Sequence, residues 1–164
     1  MSTIGRGQTA PRFELLGMDG KTHSLQEALT RGPILLAFFK ISCPTCQYTF
    51  PFIERLYQQF RQNGIQIWAV SQDNAPANQA FVQEFGITFL ILIDDYPYEA
   101  SRTYGIKFVP TIFLIKSDGK VALMSDGFAK NDLLAIQKWF AKHFSVDPAP
   151  LFLPRERVPE FKPG

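Results

Sequence analysis

The chain has 164 residues, 46% of them apolar and 20% charged, with a net charge of +2; this allows one domain with a single substantial core and gives no field that would direct it to nucleic acid, a membrane surface or an acidic partner. No apolar run approaches the roughly 20 residues of a membrane span, and the opening MSTIGRGQTAPRF has neither the basic nor the apolar region of a secretory signal. As written the chain is expected to be cytoplasmic; a leader removed from its front would make it periplasmic or membrane-tethered.

In chain order, APRFELLGMDGKTHSLQEAL holds two short extended segments around Met18-Asp19-Gly20-Lys21, then Ser24 as an N-cap with Glu27 three residues on. This predicts a β-hairpin and a short helix. The apolar run Pro33 to Phe39 suits a strand covered on both faces. From Pro44 to Asn63, Phe50, Ile53, Leu56, Tyr57 and Phe60 recur at helical spacing until Asn63-Gly64 ends the pattern. IQIWAVS reads as a strand, APANQAFVQEFG as a helix closed by Gly86, FLILID as a strand and YEASRTYG as a short helix. TIFLIKSDGKVALMSDG predicts a hairpin turning at Asp118-Gly119, and KNDLLAIQKWFAKHF a last helix. Together these give an α/β fold, a mixed central sheet with helices on both faces, over residues 1–146. Residues 147–164 hold five prolines and no period, and are expected to form an extended tail lying on the surface or loose.

The chain's two cysteines, Cys43 and Cys46, stand at the start of the helix that begins at Pro44, and two are too few for the disulfide framework of a small secreted module. A structural zinc site needs four ligands, and only His23 and His143 remain, in distant elements. A structural disulfide between residues three apart closes a very small loop and constrains little chain entropy. A reactive pair explains the placement better. A helix N-terminus presents unpaired N–H groups and the positive end of its dipole to the first sulfur. Cys43 is then the nucleophile and Cys46, one turn in, resolves the mixed disulfide. Lys40, three residues before Cys43, is a candidate second positive charge or an ordinary solvated lysine.

CPTC at a strand–helix junction followed by YGIKFVPT resembles the thioredoxin superfamily. With the opening hairpin, SQDN, FGITFLILID and YGIKFVPTIFLIKSDGKV, the chain is similar to the branch of TlpA- and ResA-like thiol-disulfide oxidoreductases and peroxiredoxins, from about Ala10 to Phe144. The resemblance implies a thioredoxin-like fold and a thiol-disulfide oxidoreductase, most simply a reductase, whose redox-active group is a Cys43–Cys46 disulfide with no metal and no other cofactor. It implies that Val109 pairs through its backbone with an extended substrate segment and that Pro110, cis, keeps bulky or metal-binding residues from the sulfurs. Thr111 completes that substrate loop, and Pro44 and Thr45 tune the potential.

Departures accompany it. Where thioredoxin carries a tryptophan and a buried aspartate before its first cysteine, this chain has Ser42 and Ala37, so the base for Cys46 is unassigned. Asp73 and Asp94 qualify only if the fold turns them inward. A peroxiredoxin places a threonine or serine three residues before its peroxidatic cysteine, where Lys40 stands, and an arginine where this chain has Val109-Pro110-Thr111. The alternatives are thus a thiol peroxidase with Cys43 peroxidatic and Cys46 resolving, or a Cu(I)-binding module. The implied partners are a protein disulfide or dithiol substrate and an upstream thiol reductant, with no nucleic acid or membrane, acting as a monomer or weak dimer.

Overall fold

The computed structural model describes residues 2–164. A hairpin opens the fold: β1 (Glu14–Gly17) pairs antiparallel with β2 (Thr22–Ser24). Helix α1 (Leu25–Arg31) follows, with the Ser24 hydroxyl accepting the Glu27 N–H at its N-cap, so the cap read from the sequence is in place. Strand β3 (Ile34–Phe39) has all six residues buried. Its residues alternate between two cores, Leu35, Ala37 and Phe39 on one face of the sheet and Ile34, Leu36 and Phe38 on the other, which is why its sequence is continuously apolar.

Helix α2 (Pro44–Phe60) leaves the end of β3 through Cys43 and buries Cys46, Thr49, Phe50, Ile53, Leu56 and Phe60 against the first of these cores. Pro51 lies inside it and has no N–H for the turn before; the buried stripe on either side carries the helix through. Then come β4 (Gln66–Ser71), α3 (Ala75–Phe85), β5 (Leu90–Ile93), α4 (Glu99–Thr103), β6 (Thr111–Ile115), β7 (Val121–Asp126), β8 (Phe128–Ala129) and α5 (Lys130–Phe144). Gly86 closes α3 at φ 67°, a left-handed cap that glycine adopts freely.

Seven strands form one mixed sheet in the order β2-β1-β5-β4-β3-β6-β7, with β3, β4 and β5 parallel and the rest joined antiparallel. Helices α2, α3 and α5 supply Phe50, Phe81 and Phe140 to one core, and α1 and α4 supply Leu25 and Tyr104's neighbour Ala100 to the other. The mixed sheet covered on both faces is the architecture expected from the sequence, thioredoxin-like with an N-terminal hairpin.

Of the two forms expected for the residues after 146, the structure shows a tail lying on the surface and anchored there, not a loose one. Leu151 is 1% exposed and joins the core beneath α2 and α5. Phe152 packs edge-on to Phe52, with ring centroids 5.0 Å apart, and Glu156 makes a bidentate pair with Arg55 at 2.7 and 2.5 Å. A short last strand, β9 (Phe161–Lys162), pairs antiparallel with β8. Five prolines limit helix here to a single 3-10 turn, Pro154–Glu156, and leave side chains free to pack one at a time.

Candidate active site

The site forms where β3 ends. Cys43 is the N-cap of α2 with extended backbone (φ −81°, ψ 116°), and Pro44 fills the first helical position, where a missing N–H costs nothing. The Cys46 N–H donates to Cys43 Sγ at 3.2 Å, and the Cys43 thiol donates to the Val109 carbonyl at 3.3 Å. Negative charge that develops on this sulfur therefore has a donor already aimed at it. Both cysteines are free thiols: Cys43 is half-buried and Cys46 is 0% exposed.

Burial pushes the Cys46 thiol far above its ordinary range, and the hydrogen bond to Cys43 and the negative charges of Cys43 and Asp73 push the same way. A main-chain hydrogen bond at Lys40 opposes them. The pair is thus asymmetric, with one accessible sulfur at a helix N-terminus and one enclosed sulfur held as a thiol.

Val109-Pro110 is a cis peptide bond, as the family resemblance implies. The loop lies against Cys43 through the Val109 carbonyl, and Thr111 is buried with its hydroxyl donating to Phe108 O at 2.6 Å. Thr111 therefore fixes the loop from behind, while Phe108 is 58% exposed and Val109 is half-buried against the core. Pro44 is exposed; Thr45 is half-buried and donates from Oγ to Pro163 O at 2.7 Å. Lys40 meets the site through its main chain, its carbonyl accepting the Cys43 N–H at 3.2 Å, while its side chain is exposed.

The two aspartates separate. Asp94 is buried and accepts from the Ala100 and Ser101 N–H groups and the Ser101 hydroxyl at the start of α4, a capping role. Asp73 accepts the Ile41 N–H at 2.9 Å beside the cysteine pair, and its charge is felt by Cys46. Ala37, where the resemblance places a buried acid in thioredoxin, packs in the same core as Cys46 and contributes only a methyl group. Neither histidine approaches the sulfurs: His23 pairs with Asp19, and His143 stacks on Trp139. Among the described residues no group of three or more His, Cys, Asp or Glu side chains is arranged to hold a metal.

Two features escape the motifs. Gly127, at φ 68°, brings the chain so close to Lys162 O that a Cβ there would collide with it, and residues 163–164 reach the mouth of the site. A glycine in a left-handed turn after a strand is visible in sequence, but nothing in sequence says what crosses it.

A buried thiol one helical turn behind a half-buried one, opposite a cis-proline loop on this sheet, defines a dithiol oxidoreductase of the thioredoxin-like fold. The AhpC/TSA family profile matches residues 6–124, and the chain belongs to that family. It is 32% identical over 134 residues to the thiol-disulfide oxidoreductase ResA of Geobacillus thermodenitrificans, covering 80% of this chain and 76% of that one. The ResA of Bacillus thuringiensis strain Al Hakam is 33% identical over 116 residues, 70% of this chain and 66% of the relative. Among solved structures, a thiol:disulfide interchange protein DsbE from Chlorobium tepidum superposes with a TM-score of 0.75 at 28% identity, over 87% of this chain and 99% of that one.

Proposed function

We propose that the protein is a disulfide reductase acting on partner proteins, with Cys43 as nucleophile and Cys46 as resolving thiol. The observation that carries this reading is the asymmetry of the pair, in which Cys43 is reachable and Cys46 is sealed. The Cys43 thiolate attacks one sulfur of a partner disulfide; a bond forms between the two sulfurs, the partner's S–S bond breaks, and the released partner sulfur takes up a proton. Cys46 then gives up its proton and attacks Cys43 Sγ, expelling the second partner thiol and leaving the Cys43–Cys46 disulfide. An upstream dithiol runs the same exchanges in reverse to restore the pair.

Each of these groups has a task in this sequence. The Cys46 N–H faces charge on Cys43, the Val109 main chain offers an edge beside the sulfur for an extended segment, and enclosure keeps Cys46 protonated until Cys43 has been captured. Reduction is the direction the family resemblance most simply implies.

Equilibration with a glutathione redox buffer tests the direction. A reductase gives a potential toward about −270 mV, and a value toward about −120 mV would make the protein an oxidant. A peroxidase is the weaker reading, because Lys40 occupies the position of a peroxide-binding hydroxyl and turns its side chain to solvent.

A further inference from the structure

The last residues of the sequence cross the face on which the proposed reaction takes place. Their root is fixed: Leu151 is buried, the Arg55 guanidinium donates to Leu151 O at 3.0 Å as well as to Glu156, and Gln137 donates to Ala149 O at 2.6 Å. Beyond Pro159 the hold is different in kind. The Lys130 N–H donates to Glu160 O at 3.0 Å, Phe161 and Lys162 pair with Ala129 and Phe128, and the Lys162 ammonium sits 4.9 Å from the Tyr48 ring centre. Thr45, between the two cysteines, donates to Pro163 O at 2.7 Å. Gly164 lies so close to the Val109 main chain that a Cβ on it would overlap Val109 O, the same carbonyl that accepts the Cys43 thiol. Residues 160–164 are all exposed, so the tip is held by main-chain bonds, one hydroxyl and one cation–π contact, with no buried side chain.

We infer that residues 160–164 form a displaceable strap occupying the peptide groove beside Cys43, made of the free edge of β8, the Thr45 hydroxyl and the Val109 carbonyl, and that a protein substrate enters by replacing this segment with an extended stretch of its own. The inference rests on the proposed exchange reaction for its consequence but on geometry for its existence. An added strand is recognised through its backbone, which any extended polypeptide supplies. The strap already uses that mode, pairing at β8 and bonding at Thr45. Its glycine against Val109 also gives the groove a preference, since an incoming segment needs a residue without a bulky side chain at that point. Small disulfides and small thiol reagents do not need the groove and pass beside the strap to the half-buried sulfur.

The test compares Cys43 alkylation by iodoacetamide with alkylation by a maleimide carrying a large polyethylene glycol chain, in Cys46→Ser backgrounds so that one thiol reports. Three proteins are compared: the full chain, a chain stopped after Pro159, and the full-length Gly164→Val variant, which keeps the root and every core residue. The strap predicts that the bulky-to-small rate ratio rises about fivefold or more in both altered chains, the factor by which roughly one net hydrogen bond holds a closed form. A peptide of the sequence VPEFKPG, added to the shortened chain, restores protection. An unchanged ratio in both altered chains overturns the strap.

Reduction of a protein disulfide by the same chains carrying both cysteines then reads the consequence. Faster turnover after shortening supports displacement, and slower turnover shows that residues 160–164 help to bind substrate, which contradicts it. If no chain reduces any disulfide, the exchange reaction fails while the alkylation ratio still decides whether the strap exists.

Discussion

Two walls border the site of Cys43, and they are built in opposite ways. One is the first turn of α2 with the Val109-Pro110 loop, where each contact to the sulfur comes from a main-chain group placed by a short motif. The other is β8 with β9, a pairing of two residues with two across more than thirty positions of chain, anchored by Leu151 and the Arg55–Glu156 pair, which make no hydrogen bond to the sulfurs. The first wall is specified locally and carries chemistry. The second is specified by packing at a distance and carries access and stability, so a substitution in either should disturb one property and spare the other.

The largest effect belongs to the first wall. Cys43→Ser removes the nucleophile, and disulfide reduction falls to the uncatalysed background while the melting temperature of the reduced protein stays close to that of the parent, because this sulfur is half-buried and its N-cap role passes to the serine hydroxyl. Cys46→Ser leaves Cys43 able to attack but unable to be released, so mixed disulfides with partner proteins accumulate and are counted by mass spectrometry. Equal trapping by the two single variants would exchange or erase their roles.

Changes to the second wall reverse the pattern. Leu151→Ala opens a cavity under α2 and α5 and should lower unfolding free energy by about 2–5 kcal/mol in denaturant titrations, with the reaction of Cys43 toward a small disulfide unchanged. Arg55→Ala breaks a partly exposed pair, which after allowance for solvent screening is worth about 0.5–1 kcal/mol. The same pair gives an acid dependence of known sign. Arg55 hydrogen bonding holds the Glu156 carboxyl at about 2, well below its ordinary 4.5. The stability it contributes is therefore complete above that ordinary value and is lost as pH falls from there through about 2. Melting temperatures across that range should fall less steeply in Arg55→Ala than in the parent chain, and identical slopes would remove the pair from the account.

The smallest effect returns to the first wall. Asp73→Asn keeps an acceptor for the Ile41 N–H but takes away a charge, so the Cys46 thiol should titrate at a lower pH than in the parent chain. Burial is the leading cause of its elevation and is untouched, which keeps the change modest. The alkylation rate of Cys46 at fixed pH in the Cys43→Ser background, which rises with its thiolate fraction, reads it.

The same division explains what could be read from the sequence. Strand β3 is apolar throughout because both its faces are covered, α2 repeats at helical spacing, and Ser24 and Gly86 mark helix ends through their own backbone chemistry. Cys43, Cys46 and Val109-Pro110 stand in short motifs, and the structure brings them together. The contact of Thr45 with Pro163 spans more than a hundred positions and has no period or motif to signal it. Leu151 sits among prolines, where one buried side chain leaves no pattern. Asp73 and Asp94 each follow a strand, and only the fold shows that one caps α4 while the other lies beside the cysteines.

The central claim is that Cys43 exchanges disulfides rather than reducing peroxide. The most direct measurement places the fully reduced protein against hydrogen peroxide and against a protein disulfide in parallel and compares the second-order rates of Cys43–Cys46 oxidation. The account predicts that peroxide reacts at the pace of a free cysteine and that the protein disulfide reacts far faster. Oxidation by peroxide several orders of magnitude faster than by the disulfide would contradict it and make Cys43 a peroxidatic sulfur.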